Sequence, residues 1–151
     1  MSKYIHPATV EAAIEVASNL RYEDRRELVE GWGLDPIEAL TEAASRPFCV
    51  YFTVPNGKTA GMAGIDEGVI WMLCTEAIHE YPLTFAREAK RFIDSRKEKL
   101  LYNVVDGRNH VHIKLLRFLG FKLIRVISFG PNQLPFIEFC KLCADPQQPS
   151  V

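Results

Sequence analysis

The sequence predicts an α/β fold, a single domain built on a mixed sheet with helices on both faces. Three observations carry that expectation. The hydrophobic period is helical up to about residue 45, turns β-branched and aromatic after Pro47, and becomes helical again from Pro82. Turn-forming residues mark the junctions, in "PNG" at 55–57, "DEG" at 66–68 and "GPNQ" at 130–133. A helical stretch set between two apolar runs over residues 82–106 implies a parallel strand pair joined by a right-handed crossover.

Each element has its own signal. Residues 3–6 form a short first strand, and Pro7 suits the first turn of a helix with Val10, Ile14 and Ala17 on its inner face. A second helix covers "EDRRELVEGW" and ends at the glycines 31 and 33. The third start is the best marked, with Asp35 as N-cap, Pro36 at the first helical position and Glu38 three residues after the cap. "FCVYFTV", "TAGMAGI" and "VIWMLC" make a three-strand antiparallel meander. Phe85, Ala89, Phe92, Ile93 and Leu100 then form the stripe of a fourth helix, with Arg87, Arg91 and Lys97 off it. "LLYNVV" is short and continuously apolar, which predicts a central strand buried on both faces. A last helix runs through "NHVHIKLLRFLG", stopped by Gly120, and "FKLIRVISF" and "LPFIEFC" close the sheet. The order is strand, two or three helices, three antiparallel strands, helix, strand, helix and two strands, β-α-α-β-β-β-α-β-α-β-β with two opening helices, over residues 1–143, with 144–151 expected as a flexible tail.

Composition bounds the function. The 151 residues are 48% apolar and 25% charged, ordinary for a globular chain. No apolar run is long enough to span a membrane, and the N-terminus lacks the pattern of a signal peptide. A cytoplasmic protein is expected. Residues 1–80 hold 6 basic and 13 acidic side chains, net −7; residues 81–151 hold 12 and 6, net +6. Aromatics are not interleaved with the basic residues, so nucleic acid is not the expected partner. Cys140 and Cys143 form a CxxC without a second ligand pair, and Cys49 and Cys74 stand alone, so ordinary thiols and no metal are expected. His110 and His112, two apart on a helix, point about 200° from each other and make no metal pair.

The element order and the segment "NHVHIKLLRFLGF" resemble the GNAT acyltransferase fold, whose last helix begins with an Asn and ends in Gly-Phe. Over residues 100–122 the sequence is most similar to GNAT-related proteins of short-tailed bacteriophages, the internal virion protein A family. The resemblance implies transfer of an acyl group from acetyl-CoA or another acyl-CoA to an amine. It also implies a phage virion or host protein as partner, and a location in the host cytoplasm or the virion.

Three parts of such a site can be sought in this chain. The phosphate cradle corresponds to "CTEAIHEYPLTF", which contains no glycine and carries Glu76 and Glu80. The position of the family's acidic Tyr is Leu116, which leaves His112, one turn earlier, as the substitute proton donor. His112 also falls in the apolar arc of Val111, Leu115, Phe118 and Leu119, as a packed core-edge histidine would. Glu76 is the candidate base, beside Asp66, Glu67 and His79. Asn103 and Asn109 are candidates for holding the pantetheine arm, although Asn109 equally suits a helix cap. His110 and Lys114, on one stripe with Arg117, are the candidate phosphate contacts. The missing cradle and Tyr point to a virion-associated or host-targeting interaction protein with a degenerate acyl-CoA site. The alternative is an active N-acyltransferase. Residues 74–82 are the expected contact loop.

Overall fold

The computed structural model describes residues 2–143 of the chain; the expected tail at 144–151 lies outside the described residues. The elements in chain order are β1 (Ile5–Pro7), α1 (Val10–Ser18), α2 (Tyr22–Arg26), α3 (Pro36–Ala44), β2 (Cys49–Thr53), β3 (Thr59–Asp66), β4 (Val69–Cys74), α4 (Pro82–Asp94), β5 (Leu100–Asp106), α5 (His110–Phe118), β6 (Lys122–Phe129) and β7 (Leu134–Leu142). A π-helical turn, Glu27–Gly31, extends α2, and a 3-10 turn, Glu76–His79, follows β4. The seven strands form one sheet in the order β1-β2-β3-β4-β5-β7-β6.

The predicted meander is β2-β3-β4, antiparallel throughout. The predicted parallel pair is β4 with β5, joined by α4. β5, β7 and β6 then pair antiparallel. Helices cover both faces. On one, α4 and α5 pack Phe85, Phe92, Ile93 and Leu115 against Ile65, Ile70, Leu101 and Phe139. On the other, α1 and α3 pack Val16, Ala17 and Leu40 against Met62 and Leu73. The expected start of α3 is present, with the Asp35 carboxylate accepting from the Glu38 N–H at 3.0 Å.

Four expectations fail, each for a packing reason. Pro7 ends β1, and α1 begins three residues later under a Thr9 cap whose Oγ1 accepts from the Ala12 N–H at 3.1 Å. Val10 and Ile14 are exposed, because α1 turns its small side to the sheet and to α3 through Ala12, Ala13, Val16 and Ala17. Small residues let the two helices approach closely. In β5, Leu100 and Tyr102 are exposed, because α1 and α3 cover β2–β4 and stop short of this strand. Val111 and Phe118 in α5 are exposed too, so its buried face is the narrower pair His112 and Leu115, continued by Leu119 at the C-cap.

Candidate functional site

The site grows from one feature of the sheet. β4 and β5 share a single register pair, Val69 with Tyr102, and beyond it they diverge. A parallel pair that opens leaves backbone groups to be satisfied by something else. At the narrow end the Asn103 side chain does this, donating Nδ2 to the Ile70 carbonyl at 2.8 Å. Further along, an apolar cavity of about 570 Å³ lies in the gap. Its lining includes Phe85, Phe92 and Leu115 from the α4–α5 side and Leu40, Ala43 and Trp71 from the α1–α3 side, so it passes between the strands from one face to the other. This volume suits a small organic ligand.

At the wide end, α2 closes the gap. Its backbone is tied to β4 by Arg21 N–H to the Cys74 carbonyl, 2.9 Å. Asp24 and Glu27, three residues apart, share the helix face turned to the sheet. Asp24 Oδ2 accepts from the Cys74 N–H at 2.7 Å, and Glu27 Oε1 accepts from the Asp106 N–H at 2.6 Å. Two carboxylates of one helix thus take the free N–H groups at the ends of both diverging strands.

Asp24 is the hub of a buried polar cluster. Its Oδ1 accepts from Arg21 Nη1 at 2.9 Å and from Asn109 Nδ2 at 2.8 Å. His112 Nε2 lies 3.3 Å from its Oδ2. Arg21, Asp24, Asn109 and His112 are all at most 5% exposed. Burial pushes the Asp24 carboxyl up, but the charges of His112 and Arg21 and the hydrogen bond from Asn109 outweigh it and hold Asp24 low. Burial pulls His112 down, and the Asp24 charge overrides it, raising the imidazole well above its ordinary 6.5. Burial pushes Glu27 up to about 7, against the pull of His112 and the Asp106 N–H. Cys74 is also raised by its complete burial. A carboxyl near 7 that lines a cavity can exchange a proton at neutral pH.

The sequence candidates divide. His112 and Asn103 line the cavity, and so do Asp66 and Glu67. Asn109 is buried, makes no cap hydrogen bond and donates to Asp24, so the capping expectation is overturned. Donating Nδ2 to the buried carboxylate turns the amide so that its Oδ1, the atom a cap would use, accepts from no helix N–H. Glu76, 70% exposed, sits 3.6 Å from His79, and neither it, His110 nor Lys114 is among the cavity residues. Glu80 pairs with Lys58 at 3.0 Å. Nothing in the sequence marks Arg21, Asp24 and Glu27 as site residues, and Cys74 reads there as an ordinary thiol at the start of the contact loop. Their positions share no short motif, and the one available signal was a pair of acidic residues three apart on α2.

Comparison with known proteins agrees with this architecture. In sequence the chain matches no family model and no curated protein. In structure it is similar to a GNAT-family acetyltransferase from Bacillus cereus, at TM-score 0.67 and 11% identity, covering 95% of this chain and 99% of that one. YncA, a putative acetyltransferase from Salmonella typhimurium with its cofactor acetyl-CoA, gives 0.66 and 15%, covering 99% of each chain. The microcin C7 self-immunity acetyltransferase MccE, in complex with acetyl-CoA and AMP, gives 0.64 and 12% with 93% of each covered. The fold is that of the GNAT acetyltransferases.

Proposed function

We propose that this chain is a GNAT-fold interaction protein whose acyl-CoA site is degenerate. The observation that carries the proposal is the closure of the β4–β5 gap by the chain's own carboxylates. The Cys74 and Asp106 N–H groups, the donors that splayed strands can offer an acyl carbonyl, already bond to Asp24 and Glu27. Displacing either acceptor would strand a buried charge or a buried N–H. The glycine-free turn after β4, with its exposed Glu76, and the Leu at position 116 support the same reading. The likeness of residues 100–122 to the internal virion protein A family supports a phage protein with a virion or host partner, and residues 74–82 are its contact loop.

A second reading, an active N-acyltransferase, is favoured by the cavity itself and by fold neighbours that hold acetyl-CoA. In that reading Asn103 would hold the pantetheine arm and His112 would protonate the leaving thiolate. Glu27 is then a better-placed base than Glu76, since it lines the cavity and titrates near neutrality.

Calorimetric titration of acetyl-CoA and of CoA into the purified protein separates the two. The proposal expects no heat and no thermal shift at millimolar ligand. Micromolar binding that is lost in Asn103→Ala would overturn it in favour of the enzyme.

A further inference from the structure

We propose that Asp24, Cys74 and His112 form a buried divalent-metal site of zinc type, a staple across the open end of the sheet. The three residues come from α2, β4 and α5. One ligand atom of each, a carboxylate oxygen, the Sγ and an imidazole nitrogen, lies within 4.8 Å of the other two.

The geometry at His112 is the independent observation. Its Nε2 is buried and has no hydrogen-bond partner, although Asp24 Oδ2 is only 3.3 Å away. The distance allows a hydrogen bond, so the ring N–H direction is what misses. An imidazole nitrogen aimed beside a carboxylate oxygen, rather than at it, is placed as a co-ligand. Tetrahedral zinc with Zn–N and Zn–O bonds of about 2.0–2.1 Å holds its nitrogen and oxygen ligands about 3.3 Å apart. Asn109, whose Nδ2 donates to Asp24, leaves a second buried atom, Oδ1, without a partner beside the same carboxylate.

Chemistry and access also fit. Cysteine, histidine and aspartate are a donor set that zinc accepts. Arg21, which contacts Asp24 Oδ1, opposes a cation there. Arg21, Asp24 and ionised Glu27 sum to −1, and a divalent ion with the Cys74 thiolate adds +1, so the loaded cluster is neutral. Binding forms the S–metal and Nε2–metal bonds and releases two protons to solvent, one from the Cys74 thiol and one from the His112 imidazolium. His112 lines the cavity, which supplies an entry path. This proposal does not depend on whether the protein binds acyl-CoA.

The test is titration of Co²⁺ into the chelator-stripped full-length protein, with zinc-edge X-ray absorption on the zinc-loaded wild type. One equivalent of Co²⁺ is expected, with a thiolate-to-cobalt charge-transfer band and tetrahedral d–d absorption. X-ray absorption should find one sulfur among nitrogen and oxygen neighbours. The band should vanish in Cys74→Ala and persist in the double variant Cys140→Ser, Cys143→Ser. Failure of stoichiometric Co²⁺ binding, two sulfur neighbours, or a band that follows the CxxC pair would overturn the site. The absorption measurement uses the wild type, so a Cys74→Ala that fails to fold does not hide the answer.

Discussion

Among single residues, Glu27 has the largest consequence for pH. Its carboxyl is buried beside Asp24 and Asp106, which oppose its ionisation, and faces His112, which favours it. The folded value of about 7 stands above the ordinary 4.5. The stabilising contribution is therefore full below pH 4.5 and is lost as pH rises toward and through 7. At roughly 1.4 kcal/mol per unit, the loss amounts to about 3 kcal/mol. Glu27→Gln keeps an oxygen for the Asp106 N–H and removes the charge. In chelator-treated protein, urea unfolding of this variant should show a flatter stability profile between pH 4.5 and 7 and greater stability than wild type at pH 8. A variant that tracks the wild-type profile would place the titration elsewhere.

Elements show how Glu27 is held. The β6–β7 turn docks on the π-helical segment: Asn132 Nδ2 donates to the Glu30 carbonyl at 2.9 Å, and Phe129 packs edge-on to Trp32 at 4.7 Å. Gly130 sits at φ +77°, and a Cβ there would overlap the Gly31 carbonyl oxygen. Gly130→Ala combines left-handed strain with a backbone clash, so a loss of about 3 kcal/mol in denaturant unfolding is expected. An unchanged midpoint would mean that the turn does not clamp the π segment. Little of this was legible in sequence, whereas the elements themselves were. Asp35-Pro36-Ile37-Glu38 announces α3 through local hydrogen bonds, and "FCVYFTV" announces β2 through side-chain shape. Such signals act over a few residues. Asp24, Cys74, Asn109 and His112 meet only after the sheet has formed, so no spacing reveals them, and Asn109 reads as a cap until its Nδ2 donates to a buried carboxylate. The narrow buried faces of α1 and α5 were hidden for a related reason, since periodicity locates an apolar arc but not the neighbour that covers it.

For the whole molecule, the sheet is two antiparallel halves, β1–β4 and β5-β7-β6, joined at one backbone pair and by side chains. The Tyr102 N–H bonds to the Gly68 carbonyl at 2.9 Å at the narrow end, while Asp24 and Glu27 hold the wide end. If the halves are coupled by these separate tethers, removing one should release one amide only. Glu27→Met fills similar volume without an acceptor and leaves Asp24 in place. A hydrogen bond to a charged group contributes about 1.5–3 kcal/mol. Native-state hydrogen exchange at Asp106 should therefore accelerate about 10- to 100-fold, a tenfold change corresponding to roughly 1.4 kcal/mol. The Cys74 and Tyr102 amides should keep wild-type rates. Acceleration of all three together would mean that the halves part as one unit. No change at Asp106 would mean that its N–H finds another acceptor, and the closure of the gap by α2 would lose its role in holding the sheet together.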